Sequence, residues 1–334
     1  MFPHSDRWQA LDAIKTLGLL GALFGHVLIW WFGENWSGTG ASFYSIGLPM
    51  WLIIIDLTIV GLILVSAGAA FYFYLKRGAS FKKICFRMAL LVFLGFLFGL
   101  NLRPLFLFWN IFLFYALAVL TIFILDRYGD KKILFFLTLC VLFLTPLLRL
   151  FLNKLAPGGY AAAVLIGDPQ GRISFFPFFP WFFLVGAGFL TSYFYSEYRP
   201  KRFLIYGLFS GIIVSFFAIS FLKPLDLSNV FGVTSQIAPG YIILIFSFFI
   251  FLISSLELIF KKITLSKYNP IVAIGRHILP IYLITITITL ALTNALKNSA
   301  KYNNIYTFLT LELTTLAIAC LLGIILTHRN KKPA

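Results

Sequence analysis

Long apolar runs alternate with short polar connections from one end of the chain to the other. Runs of near-spanning length occur at roughly 12–33, 48–75, 84–101, 104–125, 133–152, 176–195, 203–222, 240–260, 271–293 and 306–327. A hydrocarbon layer of about 30 Å takes about 20 residues of helix. In lipid, only a helix satisfies the backbone hydrogen bonds of such a segment from within. The pattern therefore predicts an all-α, polytopic integral membrane bundle of about ten transmembrane helices. No repeat of 20 to 50 residues and no low-complexity linker interrupts it. The longest polar connections, at about 153–175 and 223–239, hold no soluble domain, so 1–334 is expected to form a single transmembrane domain.

Composition strengthens that picture. Apolar residues make up 60% of the chain and charged residues 11%, where a soluble domain carries roughly half and a quarter. Forty Phe supply more aromatic surface than one water-excluded core can hold, so lipid is expected to face most of it. The first run has Arg7 before it and small residues after it, as a cleavable signal peptide would. It is longer than a typical signal core, however, and carries Lys15 and His26, which favours an uncleaved first helix.

The net charge of +16 raises the question of nucleic acid, but Lys and Arg fall in short clusters between apolar runs and not on one basic face. No nucleic-acid partner is expected. Positive charge is retained on the cytoplasmic side of a membrane. With the N-terminus inside, roughly 17 of the 27 Lys and Arg fall on cytoplasmic loops and roughly 7 on outer ones. The regular alternation predicts both termini in the cytoplasm and a multi-pass protein of the plasma (inner) membrane. Cys85, Cys140 and Cys320 all lie in apolar runs at no metal-ligand spacing, so neither a disulfide framework nor a metal site is indicated. Asn35-Trp36-Ser37 matches a glycosylation sequon, a tripeptide too common to carry a function.

Ionisable groups within a membrane are expensive and are functional candidates by default. Asp12, Lys15 and His26 stand on the first helix. Lys15 and His26 are eleven residues apart, about three turns, which puts both on one face about 16 Å apart along the axis. His26 is the candidate general base, and Asp56, at similar depth on the second helix, is its candidate orienting carboxylate. The competing readings are a snorkelling Lys15, a His26 that only bonds a neighbouring helix, and a protonated Asp56 on a backbone carbonyl. Asp12 has two readings of its own, a first-turn carboxylate and an ion-pair partner for Lys15.

On the cytoplasmic side, Lys15, Arg87, Arg276 and His277 form a candidate basic entrance for a phosphorylated acyl donor, with anionic lipid headgroups as the alternative ligand. Toward the outer side, Asn110, Arg172 and Trp181, together with Pro177 and Pro180, are candidates to line a cavity for substrate. An interfacial aromatic belt accounts for Trp181 equally well. Glu257 and Glu312 receive no role. A Gly-rich phosphate loop, a zinc signature and a nucleophile elbow are all missing from the sequence.

Three stretches, in order, resemble the membrane acyltransferase superfamily, in the branch that includes heparan-α-glucosaminide N-acetyltransferase and its bacterial relatives. They are Arg7-x4-Asp12-x2-Lys15-x10-His26, then Phe175-Phe176-Pro177-Phe178-Phe179-Pro180-Trp181 with Gly186, and Ile274-Gly275-Arg276-His277-Ile278-Leu279-Pro280-Ile281-Tyr282-Leu283. Lys15 stands where the family has Arg, Ile278 where it has Ser, and Thr285 where many relatives have His. The resemblance implies transfer of an acyl group, commonly acetyl, from cytosolic acyl-CoA to a hydroxyl or amine of a glycan or lipid acceptor at the far face. Acyl-CoA is then a co-substrate and no metal is needed. A transporter or flippase is the leading alternative, because intramembrane Asp, Lys and His also mark ion paths. A membrane scaffold with a degenerate site is the third.

Overall fold

The computed structural model describes residues 8–32, 50–102, 110–155, 159–168, 173–174, 176–197, 205–214, 236–263, 265–297 and 305–329. The elements in chain order are α1 (Gln9–Phe32), α2 (Met50–Lys76), α3 (Phe81–Leu102), α4 (Ile111–Tyr128), α5 (Lys131–Leu155), α6 (Tyr160–Ile166) and α7 (Phe178–Glu197). They continue with α8 (Ile205–Val214), α9 (Pro239–Phe260), α10 (Pro270–Arg276), α11 (Ile278–Lys297) and α12 (Ile305–Arg329). No strand occurs among the described residues. Eight of these helices, namely α1, α2, α4, α5, α7, α9, α11 and α12, are long and apolar enough to cross a membrane. The chain is thus an all-helical, multi-pass membrane protein.

The described residues gather into two compact units. One comprises 1–36, 51–63 and 251–334, and the other 37–50 and 64–250. In the first, α1 packs on α10, α11 and α12, and α10 packs on α12. Gly18 and Gly21 let α1 meet the first half of α2, since a Cβ at either would collide with Ile63 or Ile59. In the second, α5 packs on α7, α3 on α4, and α4 on both α5 and α7.

Local chemistry sets the helix ends. Gly78, with φ at 76°, stops α2 by taking a conformation that side-chain-bearing residues rarely adopt. Asn110 caps α4, its Oδ1 accepting the N–H groups of Phe112 and Leu113. Asn269 caps α10 with Pro270 behind it. In α7, Phe179 is non-helical (φ −96°, ψ 123°), because Pro180 disfavours the helical conformation in the residue before it.

Hydropathy predicts one helix across 271–293, but the backbone breaks there. α10 ends at Arg276, His277 takes φ −125° and ψ 34°, and α11 starts at Ile278. Pro280 supplies the reason, since in a continuous helix its ring would clash with the carbonyl of Arg276 and it has no N–H to donate. In the third position of a new helix it does no harm.

Many buried hydroxyls are satisfied along their own helix. Thr138, Thr145, Thr191, Thr293 and Thr315 each donate to the carbonyl four residues earlier. In the second unit α2 and α7 cross closely, where a Cβ at Gly68 would fall on the Val185 carbonyl and one at Gly188 on the Val65 carbonyl. Gly188→Ala is expected to destabilise the protein by about 1 to 3 kcal/mol. A thermal unfolding midpoint in detergent equal to wild type would disprove that crossing.

Candidate functional site

The first unit holds most of the chemistry. Its α1 is tied at the start by three hydrogen bonds. The Trp8 indole N–H donates to Glu257 Oε2 at 2.8 Å. The Gln9 amide donates to the Leu265 carbonyl at 3.0 Å and accepts the Leu265 N–H at 3.2 Å, as a peptide group in a ladder would. Glu257 is thereby explained as an anchor for α1.

One turn on, Lys15 Nζ donates to Asp12 Oδ1 at 2.9 Å and to the Gly275 carbonyl at 3.0 Å. Both side chains are buried, with Asp12 1% and Lys15 7% exposed. Both readings of Asp12 hold: it stands in the first turn of α1 and it pairs with Lys15. A Cβ at residue 275 would lie far inside contact distance of the Asp12 carbonyl, so only glycine lets α10 come this close to α1. Thr16 Oγ1 adds a 2.5 Å bond to the Ile271 carbonyl. At least two of the three Lys15 donors are committed, and its charge is matched by Asp12. Any contact with a donor phosphate would start from a neutralised ammonium.

The break between α10 and α11 carries the other two cytoplasmic candidates of this unit. Arg276 is the last residue of α10, and His277 closes it, its N–H donating to the Ile274 carbonyl at 3.0 Å. Both side chains are half-buried. Arg87 belongs to the second unit, where it is exposed and its guanidinium lies 3.9 Å from the Tyr74 ring centroid.

His26 lies further along α1, on the face that carries Lys15. Its Nε2 is 3.0 Å from the Tyr282 hydroxyl on α11. The side chain of Asp56 lies outside the described residues, so the structure gives His26 a phenol as neighbour and leaves the carboxylate open. Phe24 packs edge-on against Phe308 of α12, with centroids 6.4 Å apart, which brings the His26 stretch of α1 against α12 as well.

The outer candidates sit in the second unit. Asn110 is buried, and both ends of its amide are engaged: Oδ1 caps α4 while Nδ2 donates to the Gly95 carbonyl of α3 at 2.6 Å. Trp181 is fully buried, its ring 5.2 Å from that of Phe176, so it is a core residue of α7 and not part of an interfacial belt. Arg172 lies outside the described residues.

Sequence reading passed over Arg149 and Asp168. Arg149 Nε donates to the Ile166 carbonyl, and its Nη1 to those of Gln236 and Ile237, all within 3.1 Å. Asp168 accepts the N–H groups of Ile173 and Ser174. Arg149 was findable, being a charge on an otherwise apolar helix. Tyr282 gave no such signal, because it carries no charge to mark it in an apolar run.

Among the described residues no group of three His, Cys, Asp or Glu could hold a metal ion. No protein-family model, curated protein or solved structure matches the chain.

Removing Lys15 while Asp12 stays should leave a buried carboxylate without its cation. Lys15→Met is therefore expected to cost about 3 to 5 kcal/mol, and Asp12→Asn in the same chain to recover much of it. Denaturant or thermal unfolding of the two single variants and the double variant measures the coupling, and additive effects would refute the pair.

Proposed function

We propose that the chain is a membrane-bound acyltransferase that moves an acyl group, acetyl in the simplest case, from cytosolic acyl-CoA to a hydroxyl or amine of a glycan or lipid acceptor. The observation that carries this reading is the single face of α1. It bears the Asp12–Lys15 pair against Gly275, next to Arg276 and His277, and further along it bears His26 against Tyr282. The motif resemblance supports it independently.

In this mechanism the termini and basic loops face the cytoplasm, and the membrane is the inner plasma membrane. Arg276 and His277 meet the donor's phosphates from that side. His26 takes the acceptor's proton on Nδ1, in the tautomer whose Nε2–H donates to the Tyr282 oxygen and leaves the basic lone pair on the other nitrogen. The acceptor oxygen or nitrogen forms the new bond to the acyl carbon, the carbon–sulfur bond breaks, and the proton returns to the CoA thiolate. Excluding water from this path protects the thioester from hydrolysis.

CoA release from acyl-CoA by membranes or purified protein tests the reading. His26→Ala should lower turnover by about 10² to 10⁴ with CoA affinity intact. Tyr282→Phe should lower it about tenfold, the worth of one hydrogen bond. Near wild-type turnover in His26→Ala would remove the base. Orientation has its own test: cysteines placed at Lys82, Lys131, Lys201 and Lys262 should resist an impermeant thiol reagent outside intact cells, and labelling at any of them would reverse the topology.

The break at His277 favours a second reading, because discontinuous membrane helices also build transport sites. Under that reading the protein carries a small anionic or glycolipid substrate across the membrane, and CoA is never released.

A further inference from the structure

One end of the second unit gathers the end of α2, the start of α3, the end of α4, the start of α5 and the end of α7. Lys76 at the end of α2 bonds Glu197 at the end of α7 at 3.1 Å. Phe81 at the start of α3 stacks on Phe123 of α4 with centroids 5.6 Å apart, and Lys131 of α5 lies over the Phe189 and Tyr193 rings of α7. The acids described at this end are already engaged. Glu197 pairs with Lys76, Asp126 pairs with Lys131, and Asp130 accepts the Lys132 N–H. Along the α2–α3 edge, Arg77, Lys82, Lys83 and Arg87 make no ion pair among the described residues.

Arg87 stands apart from the other three. It lies six residues into α3 from Phe81, about 9 Å along the axis. The helix it belongs to packs along α4, which is apolar enough to cross a membrane. Phe86, Leu90, Phe93 and Leu97 form one exposed strip at helical spacing, with Phe86 70% and Phe93 62% exposed. Exposed Phe and Leu on such a helix face acyl chains, so the exposed Arg87 beside them faces lipid too. Its guanidinium is held in place by the Tyr74 ring of α2, 3.9 Å to the centroid. A ring attracts a cation without neutralising it. Lys83 lies one turn nearer the start of α3 on the same face, and two like charges at that spacing repel unless an anion joins them.

We propose that the α2–α3 edge binds one anionic phospholipid. Arg87 and Lys83 donate hydrogen bonds to its phosphate, and an acyl chain lies along Phe86, Leu90, Phe93 and Leu97. A net negative headgroup suits the edge, because the ammonium of a zwitterionic lipid brings one more cation to a cluster already short of acids. A free phosphate answers the charges and leaves the apolar strip without a role. The site belongs to the second unit alone and does not rest on the acyl-transfer reading.

The test is native mass spectrometry of the full chain from micelles doped equally with phosphatidylglycerol and phosphatidylcholine, counting the lipid retained. Phosphatidylglycerol should be retained at lower concentration than phosphatidylcholine. The double variant Lys83→Gln/Arg87→Gln should raise the concentration for half retention about tenfold or more, as loss of a charge-assisted hydrogen bond does. Lys132→Gln removes an exposed cation from the same end but from α5, and should change nothing. Excess inorganic phosphate should leave the lipid in place. Equal retention of the two lipids, or a double variant that binds like wild type, overturns the site. So does an equal loss in Lys132→Gln, which marks a diffuse surface field, or displacement by phosphate, which marks a soluble anion as the ligand. If the double variant unfolds in a thermal scan, Arg87→Lys decides instead: it keeps the charge, loses the planar fork and should weaken retention severalfold, and unchanged retention overturns the site.

Discussion

An ammonium group inside a membrane protein has to be neutralised where it stands, and the first unit is arranged around that requirement at Lys15. The charge is met by Asp12 one turn earlier and by the Gly275 carbonyl of a neighbouring helix. The second partner is within reach only because residue 275 has no side chain to keep α10 away from the α1 backbone. From that contact the rest follows. α10 is short and ends just after it, His277 turns the chain, and α11 sets out from a point that brings Tyr282 to His26. A surface ion pair would organise nothing of the kind, since water would screen it. Here the desolvated pair dictates which backbones touch.

Much of the helical architecture was legible because lipid imposes so narrow a choice on the backbone. A helix is described at each of the apolar runs, and eight of them meet the length and hydropathy needed to span a membrane. The break at His277 escaped a hydropathy reading because apolar residues continue on both sides of it, Ile271 to Ile274 before and Ile278 to Leu283 after; only Pro280 announces it, and prolines are common enough in membrane helices to be discounted. The two-unit division was equally hidden, since it depends on which helices meet and not on where they lie in the chain.

The site was legible by residue type and much less so by partnership. Spacing along α1 put Lys15 and His26 on one face, but the groups they touch come from residues about 260 positions away. Asn110 shows the limit from the other side. An amide at the end of an apolar run reads as a polar lining residue, whereas its geometry is that of a helix cap that also clips α3 to α4. Caps and lining residues share a vocabulary of side chains, and only the hydrogen-bond partners tell them apart.

The crossing of α2 and α7 has a consequence for how this protein can vary. Each of Gly68 and Gly188 faces the carbonyl oxygen of the opposite helix, at Val185 and Val65, and not a side chain. Where a side chain is the obstacle, a bulky residue on one helix can be accommodated by trimming its neighbour on the other. A main-chain oxygen cannot be trimmed by any substitution. The two positions are therefore closed to paired exchange, and a lineage that lost either glycine would have no partner position through which to regain the fit except by restoring the glycine itself.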